Sequence, residues 1–414
     1  MWSRTTENMK VQLQVQTLQP ASDGSEHSVE PSPPKATFRL DIQGLRAVAV
    51  VLVILSHAGA RHLAGGYVGV DVFYVISGFV ITGLLLRSKQ GSVGSNLITF
   101  YARRFRRILP ASTLVLVATV VATYYWLGSY VGRGLITDVR WASLFAVNFH
   151  FIDVGTSYFT RSQPPSLILQ YWSLAVEEQF YFVLPLLLFS IVAVAAVRRH
   201  QTLMLASLGS IVVASSIWCV IQTSHAPVNA YFSPFTRFWE LGLGGLVAVL
   251  PAAWQPTKRW VTGVLGWLGL ASIVASAVLF TDATAYPGWL AWWPCAGAAL
   301  LLWVGRSPSP GGPAAILSCR PLVYVGAISY SLYLWHFAWI NIPLQYATSP
   351  MAWTSKVLQI LGATVCAVIT YHLVENPLRR SNWMDARRWT AYALGIGLIA
   401  VVWAVTAGYL QFAG

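Results

Sequence analysis

Arg46 and His57 lie eleven positions apart in an apolar stretch. On a helix of about 100° per residue that spacing closes to within about 20° of three full turns, so both side chains share one face, about 16 Å apart along the axis. A neutral imidazole can take a proton from a hydroxyl and return it to a leaving thiolate, which is the proton traffic of acyl transfer from a thioester to an alcohol. A guanidinium suits an anion or a polarised carbonyl. The same spacing also describes an interfacial histidine with a snorkelling arginine, and spacing alone does not separate the two.

Other polar groups in apolar surroundings extend the candidate set, because each costs about 2.5–3.5 kcal/mol at a bilayer centre unless paired or hydrated. Asp71, in Gly69-Val70-Asp71-Val72-Phe73-Tyr74, is expected at the depth of His57, where it would orient the imidazole or pair with Arg61. Glu177 and Glu178 point about 100° apart on a helix, so one faces a shared site as a base or sugar contact while the other serves the helix N-terminus. Arg237 and Glu240 are three apart and either pair with each other or contact substrate. Arg103, Arg104, Arg106 and Arg107 precede Ile108-Leu109-Pro110 at a helix mouth, where they would clamp coenzyme A phosphates or simply mark the inner side. Ser329, Tyr330, Ser331, Tyr333, Trp335 and His336 form a polar strip, with Tyr330 and His336 as substrate-contact candidates. Glu375 is read as part of a helix end before Pro377, paired locally with the following arginines. Cys219, Cys295, Cys319 and Cys366 have no metal-ligand spacing and are read as buried small hydrophobes, so no metal is expected.

The elements that carry these residues follow from composition. The 414 residues are 56% hydrophobic and 10% charged, with 19 Trp, which no soluble globular surface accommodates. The fold class expected is all-α, a polytopic integral membrane helix bundle. Runs of about 18–22 apolar residues, each enough to cross about 30 Å, recur eleven times from residue 41 onward. The last three spans fall near 323–343, 354–374 and 389–410, and the third near 108–127. With the N-terminus cytoplasmic, Arg87, Lys89 and the four arginines before Ile108 share one inner loop, while the outer segments hold five basic residues, Arg61, Arg133, Arg140, Arg161 and Lys356. The formal charge of +13 is thus topological, and nucleic acid is not an expected partner. The setting expected is the cell inner membrane. Residues 128–172 read as a partly re-entrant or interfacial outer segment. Residues 1–37 read as a disordered cytoplasmic tail without a cleavable signal. The rival class is a transporter or flippase using the buried Arg, His and Asp as a relay, although no internal repeat is evident.

The order of the motifs is specific. It runs from Leu40-Asp41-Ile42-Gln43-Gly44-Leu45-Arg46 and His57 through Gly69–Phe79, Arg103–Pro110, Trp172–Tyr181, Arg237–Glu240 and Ser329–His336 to Glu375-Asn376-Pro377. In these motifs the chain resembles the acyltransferase-3 family of membrane-bound O-acyltransferases over about residues 38–380, with Tyr74 where Phe is common. The resemblance implies that Arg46 and His57 are the family's essential Arg and His. It further implies that Arg104 and Arg107 are its paired arginines beside an acyl-CoA entrance, and that Glu177 is its glutamate. Members of the family take an acyl group, often acetyl, from cytoplasmic acyl-CoA and place it on a hydroxyl of peptidoglycan, lipopolysaccharide, exopolysaccharide or a glycosylated product. The resemblance leaves residues 381–414 as an eleventh helix with a short outer C-terminus. In some members that helix leads into an extracytoplasmic hydrolase-like domain, which makes such a domain, fused or separate, a candidate partner.

Overall fold

Hydrocarbon offers backbone amides no hydrogen bonds, so apolar runs of this length resolve into helices. A computed structural model of the chain describes residues 39–87, 93–159, 165–194, 199–345, 347 and 351–412, all helices, turns and coil without strands. The expected tail, together with Lys89, Arg161 and Arg198, lies outside the described residues. The main helices are α1 (Leu40–His57), α2 (Gly69–Arg87), α3 (Val93–Ser143), α4 (Val147–Asp153), α5 (Tyr171–Val194) and α6 (His200–His225). They continue with α7 (Pro227–Phe232), α8 (Phe238–Val249), α9 (Arg259–Leu279), α10 (Trp292–Val304), α11 (Arg320–Leu344), α12 (Trp353–Thr370) and α13 (Arg388–Phe412). A π-helical turn, Tyr371–Glu375, follows α12 directly.

Among the described residues, eight helices are long and apolar enough to cross a membrane. The helix α8 and the apolar helix Trp289–Val304 are shorter, and α11, which carries the polar strip, is not among the eight. Outward faces bear large apolar side chains such as Val213, Leu358 and Ile396, as lipid contact requires.

The third helix differs from its expected form. It begins at Val93, so Arg103–Arg107 lie within a helix and not in the loop before one. Arginine is a good helix former, and a basic run in an amphipathic turn does not end a helix. The helix breaks at Gly128, whose φ of 75° is open to glycine, and resumes through Ser143. Residues 128–153 are therefore largely helical, with α4 held to α3 by Asp138, which accepts from Ser166 Oγ at 2.5 Å and lies 3.2 Å from His150 Nε2. The last helix lies along α3, joined by Arg140 to Thr406 Oγ1 at 3.0 Å and by Tyr409 to the Gly128 carbonyl at 3.2 Å.

Two close crossings bring the polar residues together. A Cβ on Gly78 would stand 1.8 Å from the Leu241 carbonyl oxygen and one on Gly244 1.9 Å from that of Val75, so α2 and α8 touch backbone to backbone. Gly326 does the same for α11 on α1, where a Cβ would stand 1.9 Å from the Gln43 carbonyl. Replacing Gly244 by Val must push α8 off α2. The expected loss is at least about 1–3 kcal/mol of stability, read as a lower thermal midpoint of the purified chain; an unchanged midpoint would refute this crossing.

Candidate active site

His57 ends α1 half-buried, and α11 brings His336, which has no exposed surface, against it. His57 Nδ1 lies 2.9 Å from His336 Nε2, with the rings near-parallel at 14°. His336 Nδ1 lies 2.7 Å from the Tyr333 carbonyl, which can only accept, so that nitrogen carries the hydrogen. In neutral His336 the Nε2 is then an acceptor, and His57 Nδ1 must donate to it. The lone pair of His57 is left on Nε2. It faces the Tyr158 hydroxyl at 2.6 Å. Burial pushes the Tyr158 phenol above the ordinary tyrosine range, so Tyr158 keeps its proton and donates it to Nε2.

Asp71 does not take the place expected for it. It is ion-paired to Arg237 Nη1 at 2.9 Å, and the same nitrogen lies 2.9 Å from Glu240 Oε1. Both carboxylates and the guanidinium are buried, so a buried cation captured Asp71, and the orienting role falls to His336. The Arg237–Glu240 pairing is present, and it turns these residues toward Asp71 and away from any open surface. Asp71, Glu240 and Cys295 offer three ligand atoms within 4.8 Å of one another, but the Arg237 guanidinium already lies against both carboxylates. Cys219 and Cys295 are buried; Cys319 is exposed, contrary to expectation.

A second polar group lies toward the start of α1. Glu177 accepts from Ser77 Oγ at 2.7 Å and from Tyr181 at 2.6 Å. Its charge acts on Arg46, as do those of Arg107, Glu375 and Arg379, so Glu177 belongs with Arg46 and not at the depth of His57. Arg46 itself makes a 3.3 Å contact with Gln43 Oε1. Glu375 reaches this group because the π-turn carries it inward, where it is 2% exposed and accepts from Ser331 Oγ at 2.7 Å.

The four arginines part company. Arg104 is buried, forms an ion pair with Glu178, and its guanidinium stands 3.9 Å over the Tyr181 ring. Arg106 donates to the Ser381 carbonyl at 2.9 Å, and Arg103 is exposed. Arg107 alone among them is half-buried beside Arg46 and Glu375. Tyr330 donates to the Ile108 carbonyl at 2.8 Å, bracing α11 on α3. Between the two groups, Ser173 Oγ and the Tyr333 hydroxyl meet at 2.6 Å.

Tyr158, the hydroxyl contacts of Ser77 and Tyr181 with Glu177, the inward placement of Glu375 and the contact of His336 with His57 were not expected from the sequence. Only Tyr181 had a signal, four residues after Glu177 on one helix.

The geometry is that of a base aimed at a hydroxyl, with a cationic group further along the same helix. A family model described as an acyltransferase domain matches residues 39–407. The chain belongs to the acyltransferase-3 family. Its match covers every site residue described in this subsection. As an acyltransferase-3 protein it is 32% identical to YrhL of Bacillus subtilis over 364 residues, 84% of this chain and 56% of that protein. It is 29% identical to the peptidoglycan O-acetyltransferase OatA of Listeria monocytogenes over 360 residues, 83% of this chain and 56% of that one. It is also 29% identical to the O-acetyltransferase OatA of Staphylococcus aureus over 354 residues. The chain thus spans about half the length of these relatives. No solved structure matches it. Family membership favours the acyltransferase over the relay of a transporter or flippase.

With its Nδ1–H on the Tyr333 carbonyl, His336 stands where it can orient the His57 ring. His336→Leu removes the acceptor for His57 Nδ1–H and frees the ring to turn. Turnover is expected to fall about 10²-fold or more with the acyl-donor KM unchanged, as measured by acyl-transfer kinetics in membranes; wild-type turnover would refute the role.

Proposed function

We propose that this chain is an O-acetyltransferase of the cell envelope, taking an acetyl group from cytoplasmic acetyl-CoA and placing it on a hydroxyl of a cell-wall carbohydrate. The observation that carries this reading is the directed hydrogen-bond chain from the Tyr333 carbonyl through His336 and His57 to a hydroxyl. It aims His57 Nε2 at a hydroxyl, the position in which an acceptor alcohol taking the place of the Tyr158 hydroxyl would give up its proton. The peptidoglycan acceptor of the Listeria relative makes a glycan hydroxyl the first acceptor to test.

The orientation proposed has the N-terminus and the Arg46 end of α1 at the cytoplasm of the inner (plasma) membrane, from the bias of basic residues. The proposed bundle has eleven spans, the eight long helices together with α8, the short helix ending at Val304, and α11. Residues 38–380 form the proposed catalytic membrane domain, and α13 an added helix against α3. Arg46 and Arg107 meet the anionic donor from the inner side, with Glu177 and Glu375 orienting their guanidinium groups. Arg103 stands at the rim of that entrance. Arg46, Arg107, Ser77, Glu177, Tyr333 and His57 all keep partial exposure, consistent with a hydrated seam along which the acyl arm extends.

In the step itself, His57 Nε2 takes the acceptor hydroxyl proton as the oxygen attacks the thioester carbonyl. The C–S bond breaks, and the coenzyme A thiolate takes the proton back from the imidazolium. The Tyr158 hydroxyl marks the approach that the acceptor oxygen uses. In the longer relatives a further domain has room to complete delivery, so an extracytoplasmic hydrolase-like domain, in the same polypeptide or another, is the proposed partner.

The test is transfer of isotopically labelled acetyl from acetyl-CoA to a cell-wall saccharide by membranes holding the full chain, read by mass spectrometry. His57→Ala is expected to abolish transfer with donor binding intact. Arg46→Ala is expected to lose transfer mainly through weaker donor binding. Full transfer by either variant sinks the assignment, and saccharide movement without coenzyme A release would favour transport.

A further inference from the structure

The buried ion cluster and the histidine pair are linked by a column of aromatic rings. Arg237 is 1% exposed, and its guanidinium does more than join two carboxylates. Its Nε donates to the Tyr231 carbonyl at 3.2 Å, and its guanidinium carbon stands 5.0 Å from the Tyr231 ring centre, 5.4 Å from that of Trp172 and 5.7 Å from that of Tyr286. Tyr231 lies on α7, a single short turn between α6 and α8. A six-residue helix has no stability of its own, so its position is set by what holds it. The neighbouring Phe232 carbonyl accepts from Asn148 at 3.2 Å, and Arg237 holds the Tyr231 carbonyl from the other side.

On that turn the Tyr231 ring stacks on Tyr158, with centroids 4.3 Å apart and planes 28° apart. Tyr158 in turn sets its hydroxyl 2.6 Å from His57 Nε2. The anchor for the whole column is electrostatic. One guanidinium against two buried carboxylates is neutral only with one proton aboard, and Glu240 Oε2 is buried without a hydrogen-bond partner. Such a cluster is costly to rearrange, which fixes Arg237 rigidly between α2 and α8.

We propose that Arg237 is a positioning residue for acyl transfer: held by Asp71 and Glu240, it fixes Tyr231 on α7, and the Tyr231 ring sets where Tyr158, and with it the acceptor approach, stands against His57. This rests on the acyltransferase reading above. It assigns Arg237, Asp71 and Glu240 a task at a distance from the reacting atoms and without substrate contact.

The discriminating variant is Arg237→Lys, which keeps a cation between the carboxylates but has no Nε–H fork to reach the Tyr231 carbonyl. In the purified full chain, turnover per folded molecule is expected to drop about 10-fold or more, since displacements of about 1 Å at a reacting group have effects of that order. KM for acetyl-CoA is expected to stay within about twofold, because the donor arginines lie elsewhere. Turnover per folded molecule equal to wild type would overturn the proposal. Should Arg237→Lys fail to fold, Tyr231→Leu decides: it removes the ring stacked on Tyr158 and is expected to lose most of the rate, whereas a Leu variant as fast as wild type overturns the proposal. A readout independent of activity is the ¹⁵N resonance of His57 Nε2, assigned by its loss in His57→Gln. It is expected to move in Arg237→Lys and in Tyr231→Leu. An unmoved resonance in a folded Arg237→Lys chain overturns the positioning role, whereas absence of acetyl transfer in the wild type overturns only the functional reading.

Discussion

A charge inside hydrocarbon must find its counter-charge within the protein, and most of the polar architecture of this chain follows from that constraint. Asp71 on α2, Arg237 and Glu240 at the start of α8, Arg104 on α3 and Glu178 on α5 are each bound to another helix or to the next turn. These pairs need helices close enough for side chains to meet, which is why α2 and α8 cross at Gly78 and Gly244 without side chains between them. The groups outside these ion pairs stand out by contrast: half-buried Arg46 and Arg107 toward one end of α1, and the His57–His336 pair at the other.

The division of labour also explains why two carboxylates that look catalytic in the sequence differ in the fold. Asp71 is consumed by a cation and becomes framework. Glu177 is held by two hydroxyls, Ser77 and Tyr181, and has no cation in hydrogen-bond contact among the described residues. A hydroxyl partner fixes a carboxylate without neutralising it.

What was legible in the sequence is what depends on local periodicity. The common face of Arg46 and His57, the helical character of the apolar runs and the Arg237–Glu240 pair all follow from 3.6-residue geometry. What was not legible depends on contacts between distant segments. Asp71 and Arg237 are 166 positions apart and His57 and His336 are 279 apart, and no spacing rule connects either pair. The basic run 103–107 read as a loop because charge marks sidedness, yet arginines continue a helix readily. Glu375 read as a helix terminus because a π-turn inserts one residue into the winding, which hydropathy does not register.

The histidine pair has a direction, and the direction decides where positive charge resides. His336 Nδ1–H is spent on a backbone carbonyl of its own helix, so a second proton on His336 would have to enter at Nε2, which would reverse the bond to His57 and put the charge on a fully buried ring. A proton gained by His57 enters at Nε2 and leaves the Nδ1–H contact intact, now strengthened by charge. The half-buried ring of the two is thus the better place for an imidazolium. In the proposed step a cation localised there would stand beside the thioester carbonyl, so the ring that takes the proton would also stabilise the negative charge developing on that oxygen.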